Sequence, residues 1–179
     1  FNCGCKWAYV QTDNDFRGIL LRGVDAGFDT AYISKCLVSG KVPAFGADSV
    51  SSDSILLPMR LANLLDLKAG DKVYTYFFDN KLRARRFVIA GIFETNMADF
   101  DNQMCYVDSR LAQKLANWNR DQYQGAEIVF HDKDKAMETI YDIASGICYE
   151  TDAYGHYYSV SSVEELFPQI FSWLTLLDT

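Results

Sequence analysis

The chain of 179 residues has only three prolines and two histidines, and it has no apolar run long enough to cross a bilayer. A membrane-spanning helix needs about 20 consecutive apolar residues, so the sequence excludes one within its length. Intrinsic disorder is also excluded, because 49% of the residues are hydrophobic and 15% are aromatic. A chain of this length buries roughly two-thirds of its unfolded surface, so it needs no disulfide or metal to stay folded.

Catalytic motifs are missing as well. The sequence has no Gly-x-Ser-x-Gly elbow, phosphate-binding loop or dinucleotide fingerprint. Cys148 and His156 lie eight residues apart, and nothing predicts the hydrogen bond that a thiol nucleophile needs. The acidic pairs fall in turns or at helix starts, where carboxylates act as caps: Asp13/Asp15, Asp99/Asp101, Asp132/Asp134 and Glu164/Glu165. We therefore expect a protein that is not an enzyme.

Charge and cysteine content restrict the partners. The chain has 24 acidic and 17 basic residues, a net charge of −7, which argues against nucleic-acid binding. Cys3 and Cys5 are too close for a zinc knuckle, and His131 and His156 are isolated, so we expect neither a metal nor a cofactor. The pairing of the five cysteines stays open, because an odd count leaves at least one without an intramolecular partner.

Hydrophobic periodicity and turn residues predict an α+β chain. The predicted strands cover residues 7–11, 17–24, 54–57, 72–78, 83–93, 104–107, 125–130 and 157–160, with a loop over 39–46. Four helices are predicted. The first starts at Pro58, points Leu61, Ala62, Leu64 and Leu65 inward, and is capped by Gly70; the second starts after Asp108 or Ser109 and points Leu111 and Leu115 inward. The third starts after Asp132 or Asp134, has Ala136, Met137, Ile140 and Tyr141 on one face and ends at Gly146, and the fourth starts at a capping box over Ser162–Glu165.

The order of these elements predicts two lobes. The middle of the chain is rich in hairpins, whereas the last third alternates strands and helices. We expect one lobe to combine residues 1–30 with 122–179, and a β-rich lobe over residues 31–121 to be inserted into it.

Two segments are candidates for contact with a partner or substrate. The only basic run, Lys81–Arg86, would place Arg83 and Arg85 on one face of a strand and Arg86 on the other. A loop over residues 95–102 carries Met97 and Phe100 among polar residues, as adaptable contact loops often do. A solvated strand end and an ordinary connection are the plainer interpretations of these two segments.

The C-terminal run from Glu165 to Asp178 is crowded with large apolar residues. They cover more of a helix than one core-facing stripe would. Two interpretations stay open: a buried terminal helix, or the approach to a membrane helix with Trp173 as an interfacial anchor.

Several segments in order resemble one family of bacterial permeases. They are Leu37–Pro43, Ile55–Val73, Arg86–Phe93 and Leu166–Asp178, with Trp118–Gln122 and Gly125–Ile128 closest to the form in Bacteroides-like bacteria. From about Phe16 to its end, the chain resembles the extracytoplasmic domain of the lipoprotein-releasing ABC permeases of LolC and LolE type, within the MacB/FtsX-like family. No single motif is diagnostic; the ordered combination carries the resemblance.

The resemblance implies a fold, a place and partners. The fold is a two-lobed MacB-like periplasmic core, with a split porter-like α/β lobe and an inserted β-rich, Sabre-like lobe. The domain would face the periplasm from the bacterial inner membrane, with flanking membrane helices and N-terminal residues outside this chain. The partners would be a cytoplasmic ATPase, a second permease subunit, and a lipoprotein or other hydrophobic substrate. Because the link Asp79–Leu82 is short, the chain is more LolE-like, and docking of a periplasmic chaperone by a protruding loop is not expected.

Three other functions stay open. An FtsX-like module would bind and regulate a cell-wall hydrolase, and a MacB-like domain would serve efflux. A small hydrolase using Cys148 or an acidic pair would need a deep pocket with convergent polar groups.

Overall fold

The computed structural model describes residues 2–12, 15–46, 53–78, 82–97, 101–130, 135–168 and 171–172. Residues 1–128 form one compact unit and residues 129–179 a second. The first unit contains β1 (Asn2–Gln11), β2 (Phe16–Val24), α1 (Thr30–Lys35), β3 (Leu37–Gly40), β4 (Ser54–Pro58), α2 (Met59–Leu64), β5 (Lys72–Phe78), β6 (Leu82–Phe93), β7 (Met104–Asp108), α3 (Ser109–Ala116) and β8 (Gly125–Ala126). The second contains α4 (Ala136–Ile147) and α5 (Val163–Leu166). No helix in the described ranges is long and apolar enough to cross a membrane.

Six strands of the first unit close into a barrel. β1 is antiparallel to both β2 and β5, and β5 is antiparallel to β6. β6 runs parallel to β4, β4 antiparallel to β7, and β7 parallel to β2, which returns the sheet to its start. β3 and β8 extend the sheet at the second half of β6 and at the beginning of β1.

Alternate residues of the six strands fill the barrel. In β5, for example, Val73, Thr75 and Phe77 are buried, and their neighbours point outward. The helices that follow β4 and β7 start at opposite ends of the barrel, because these two strands are antiparallel. Leu61, Ala62 and Leu65 from one end and Leu111, Ala112 and Leu115 from the other join the same core.

The close packing of α3 against β2 requires glycine at position 23. A Cβ atom on Gly23 would lie 2.5 Å from the Cβ of Ala112, so only glycine lets α3 approach β2 this closely. Asp108 caps α3 by accepting a hydrogen bond from the backbone N–H of Arg110. The predicted cap and the inward Leu111 and Leu115 are confirmed.

Residues 25–46 cover one outer side of the barrel; we call them the covering segment. Ile33 of α1 and Phe45 pack against outward residues of the strands, forming a second apolar cluster with Val24, Leu56, Phe93 and Tyr106. Gly40 takes a positive φ of 78° within this segment. The other outer side of the barrel has no such cover among the described residues, as its exposed side chains show.

Local predictions succeed best in the first unit. The hairpin of β5 and β6, the strands β1, β2, β4 and β7, and the helix after Pro58 are confirmed. Three details differ. Ser39 and Gly40 lie in β3 rather than in a loop, Leu64 is 55% exposed, and α2 ends at Leu64 instead of continuing to Gly70. Asp66, with φ of 52°, is left-handed just after the helix, and Gly70 also has the expected positive φ, 96°, but lies beyond the helix end.

The last third departs further from the prediction. The strand predicted over 125–130 is reduced to the two residues of β8, and Ile128 and Val129 are 58% and 78% exposed. The strand predicted over 157–160 has only one bridge, between Tyr157 and Thr151. Alternating apolar residues do not make a strand without a partner to complete the ladder.

The helices of the second unit follow their predictions more closely. α4 spans Ala136–Ile147 and includes Gly146, which was expected to end it one residue earlier. Lys135 stands at its N-cap, and the predicted caps Asp132 and Asp134 lie outside the described residues. The capping box of Ser162 and Glu165 is confirmed. Most of the apolar run to Asp178 lies outside the described ranges.

The predicted division into lobes can be compared with the strand pairing. β1 and β2, assigned to the lobe of residues 1–30 and 122–179, share one sheet with the strands of residues 31–121. The boundary between compact units falls after Ile128. The assignment of these segments to porter-like and Sabre-like lobes stays a prediction.

Candidate functional site

The uncovered side of the barrel presents large aromatic side chains to solvent. β1, β2 and β5 contribute the set that we call the aromatic face: Trp7, Tyr9, Phe16, Tyr74, Tyr76 and Phe78. Trp7, Tyr74 and Phe78 are 59%, 51% and 60% exposed. Isolated exposed apolar residues are common, whereas contiguous exposed apolar groups are typical of interaction surfaces.

The strand register brings the aromatic face together. Tyr9 lies between Gly18 of β2 and Tyr76 of β5, because β1 pairs with both strands. The ring of Tyr9 stacks on that of Phe16 at 5.0 Å and meets the ring of Phe78 edge-on at 5.2 Å. These three rings hold each other in place, so the surface is preorganised.

The aromatic face has basic and no acidic neighbours on its strands. The stretches 7–11, 16–20, 72–78 and 82–88 contain no Asp or Glu, and their basic residues are Arg17, Lys72, Arg83, Arg85 and Arg86. Asp15 pairs with Arg17, and Asp53 pairs with Arg85 at 2.6 Å. Within the described ranges, no ion pair compensates Lys72, Arg83 or Arg86. Lys72 and Arg86, which lie opposite the exposed Val88 and Tyr74, therefore give the face positive charge in a chain whose net charge is −7.

The arginines of β6 divide between its two sides, as the sequence predicts. Arg83 and Arg85 lie opposite the buried residues Phe77 and Thr75, whereas Arg86 lies opposite the exposed Tyr74. Directly opposite residues share a face of the sheet. Arg86 therefore belongs beside the aromatic face, and Arg83 and Arg85 lie on the inward side, near the end of the hairpin where β5 and β6 are connected.

Met97 is not close to these arginines. It follows the far end of β6, and ten residues of strand separate Arg83 from Phe93, which corresponds to about 33 Å. Phe100 and the link residues Asp79, Asn80 and Lys81 lie outside the described residues. The predicted contact residues therefore do not form one site among the residues that are described.

The loop that carries Met97 is held by a buried carboxylate. Asp101 is 7% exposed and accepts hydrogen bonds from the backbone N–H and the hydroxyl of Thr95. The backbone N–H of Met97 in turn donates to the Thr95 hydroxyl. Asp101 thus has the structural role expected for that acidic pair.

The candidate nucleophiles are not arranged for catalysis. His156 contacts the carboxylate of Asp152 at 3.1 Å, and no hydrogen bond joins it to Cys148 in the described part of the chain. Burial raises the pKa of the Cys105 thiol far above its ordinary value, which keeps it protonated and unreactive. The described ranges contain no cluster of three or more potential metal ligands.

A small crevice lies between β1 and α3. Gly4, Cys5, Ala112 and Trp118 line a space of about 10 Å³, which suits one water molecule. Burial raises the pKa of the Cys5 thiol, against the opposing effect of Arg22, whose guanidinium pairs with Glu127. Ligand pockets typically have volumes of about 300–1,000 Å³, so this crevice is too small to be a substrate site.

Sequence reasoning missed the aromatic face as a site, although part of its signal was visible. Tyr74, Tyr76 and Phe78 alternate with Val73, Thr75 and Phe77, so both sides of β5 are apolar. In a strand with two apolar sides, only tertiary structure shows which side stays exposed.

No family model and no curated protein matches the chain. Its fold is similar to that of the extracellular domain of the noncanonic ABC-type transporter YknZ from Gram-positive bacteria, with a TM-score of 0.57 and 12% identity, over 81% of this chain and 73% of that one. A domain assigned to a permease of Porphyromonas gingivalis matches at a TM-score of 0.41 and 14% identity, over 94% of this chain and 65% of that one.

The first comparison confirms the expected fold at a coarse level. The chain has a mixed α/β fold like that of an extracellular ABC-transporter domain. At 12% identity this likeness concerns the fold alone. The second comparison has too low a score to add an argument.

Proposed function

We propose that the chain is the extracytoplasmic domain of an inner-membrane ABC transporter permease that takes part in lipoprotein release. The observation that carries the proposal is the exposed aromatic face, on a barrel whose fold is similar to the extracellular domain of the YknZ transporter. The resemblance of Ile55–Val73 and Arg86–Phe93 to LolC and LolE permeases supports the finer assignment.

In this function the chain performs no covalent chemistry. A cytoplasmic ATPase would move the membrane helices of the permease and of its second subunit, and the domain would transmit that motion to a lipidated or hydrophobic substrate. The rings of Tyr9, Phe16 and Phe78 offer a preformed apolar contact for such a substrate. A barrel with a packed interior suits the transmission of motion, because close-packed interiors deform little.

Photo-crosslinking in cells tests the proposal. Probes at Tyr9, Tyr74 and Phe78 of the full-length protein should form adducts with lipoproteins, and inactivating the ATPase should change their yield. A probe at Tyr149, which is 86% exposed in the second unit, is the matched control for a solvent-exposed side chain.

The alternatives give different adducts. Adducts with a soluble cell-wall hydrolase and none with lipoproteins would support the FtsX-like regulator instead. Lipoprotein adducts at equal yield from Tyr149 and from the aromatic face would show random contact and contradict the proposal.

A further inference from the structure

The backbone at the centre of the aromatic face is closed to strand addition. Tyr9 pairs with Gly18 and Tyr76, Tyr76 with Tyr9 and Ala84, and Tyr74 with Gln11 and Arg86. Both edges of these strand segments are therefore occupied by neighbouring strands, and a peptide cannot join the sheet there. A partner of these central residues must therefore contact them through side chains, whereas the outer edges of residues 16–19 and 82–87 have no strand partner among the described residues.

The shape of the face also restricts its partner. Its residues point outward from a closed barrel, so they lie on a convex surface rather than in a groove. Small molecules and docked helices need concave sites. A lipid surface can adapt to a convex group of side chains, since headgroups move aside as the rings enter.

The charges favour an anionic partner. Lys72 lies opposite Val88, and Arg86 opposite Tyr74, so both basic residues sit on the outward side with the aromatic rings. No acidic residue occurs in the strand stretches that form the face. A second copy of the same face would meet like charge, which disfavours a symmetric dimer through this surface.

We propose that the aromatic face binds the surface of a bilayer that contains anionic phospholipids. Trp and Tyr rings enter the headgroup region while Lys72 and Arg86 meet the phosphates, the combination that anchors proteins at membrane interfaces. The inference rests on the proposed function for the identity of the membrane and deepens it by naming a partner for the same surface. The barrel would lie with this side against the bilayer and the covering segment away from it.

Vesicle binding tests the inference with the chain alone. Phosphatidylcholine vesicles with phosphatidylglycerol should sediment the protein at least tenfold better than vesicles of phosphatidylcholine only. Replacing Lys72 and Arg86 by Gln should weaken binding about fivefold each, since each basic residue near an anionic surface adds that much. Raising the salt concentration should produce a similar loss, because it screens these contacts.

The apolar contribution has its own variant and control. Tyr74→Ser with Phe78→Ser should lower binding about tenfold, whereas Tyr149→Ser with Tyr154→Ser, which removes two exposed aromatics from the second unit, should leave it unchanged. Quenching of Trp fluorescence by brominated lipids, lost in Trp7→Phe, would report entry of the Trp7 ring directly. Circular dichroism of each variant shows that the fold is kept.

The outcomes separate this inference from the proposed function. Equal binding to both vesicle types, or equal loss in the face and control variants, would overturn the inference that the aromatic face binds an anionic bilayer, even if lipoprotein adducts form in cells. Capture of a soluble protein by the face with no vesicle binding would overturn it in favour of a protein partner. Vesicle binding that depends on Tyr74 and Arg86, without lipoprotein adducts, would support the membrane inference and contradict the proposed substrate.

Discussion

The carboxylate of Asp108 joins the covering segment to a helix that closes the barrel. One oxygen accepts a hydrogen bond from the backbone N–H of Gly46 at 2.8 Å, and the other accepts one from Arg110 at 2.9 Å. The two partners of this 1% exposed side chain lie 62 and two residues away in sequence. The cap of α3 and the end of the covering segment therefore depend on one residue.

Asp108→Ala should lower the free energy of unfolding by about 2–4 kcal/mol. The variant loses the N-cap of α3 and also leaves the backbone N–H of Gly46 without its hydrogen-bond partner. Asp108→Asn should cost less, since the amide oxygen can still accept the bond from Arg110. Urea titration measures both, and equal losses in the two variants would contradict the double role of the carboxylate.

Gly40 and Gly70 provide a matched pair of substitutions. Both have positive φ, 78° and 96°, but a Cβ on Gly40 would lie 2.2 Å from the carbonyl oxygen of Ala90, and a Cβ on Gly70 would meet nothing within 4 Å. Gly70→Ala should cost about 1–2 kcal/mol from backbone strain alone. Gly40→Ala should cost clearly more, because β3 must also move away from β6. Thermal unfolding of both variants checks the order, and similar losses would show that the strand absorbs the contact.

The sequence predicted strand pairs that are close along the chain better than strand pairs that are distant along it. The hairpin of β5 and β6 could be predicted from local sequence. Val73 and Phe77 of β5 alternate with outward residues, and a short connection joins β5 to β6. The barrel could not be read this way. Its closure requires the parallel pair of β2 and β7, in which Leu20 lies opposite Met104, and no local pattern specifies that register.

The candidate site illustrates the same limit. Tyr74 and Tyr106 both point outward from the barrel, yet Tyr74 is 51% exposed and Tyr106 is 6% exposed. The covering segment makes the difference, because Phe28 packs against Tyr106 with ring centroids 5.3 Å apart. Sequence alternation identifies apolar outward positions, but it does not show which of them another segment covers.

Phe77 and Phe78 are adjacent in β5 and differ only in the side that they face. Phe77 is fully buried in the barrel, and Phe78 is 60% exposed on the aromatic face. Phe77→Ala should cost about 3–5 kcal/mol through the cavity that it leaves. Phe78→Ala should cost about 1 kcal/mol or less, from the contact with Tyr9. Denaturant unfolding distinguishes them, and a large loss in Phe78→Ala would show that the aromatic face is a structural core rather than a contact surface.

Because the Cys105 thiol is buried, the free energy of unfolding should depend on pH. Burial raises the pKa of Cys105 above its ordinary value of 9.0, and burial also raises the pKa of Tyr106 against the opposing effect of Arg22. Above about pH 9 the unfolded chain loses the thiol proton while the folded chain keeps it. The free energy of unfolding must therefore fall as pH rises, by about 1.4 kcal/mol per pH unit for each such group. Urea titrations from about pH 8 to about pH 10.5 should show this slope.

Cys105→Ala tests the origin of that slope. The variant is expected to be less stable at every pH, because it leaves a small cavity. Its free energy of unfolding should fall less steeply with pH, because unfolding releases about one proton fewer. Tyr106→Phe should also flatten the curve, at higher pH, since the phenol ionises later than the thiol in the unfolded chain. If Cys105→Ala and the parent protein have parallel curves, the thiol ionises equally in both states, and Cys105 cannot lie in the closed interior of the barrel.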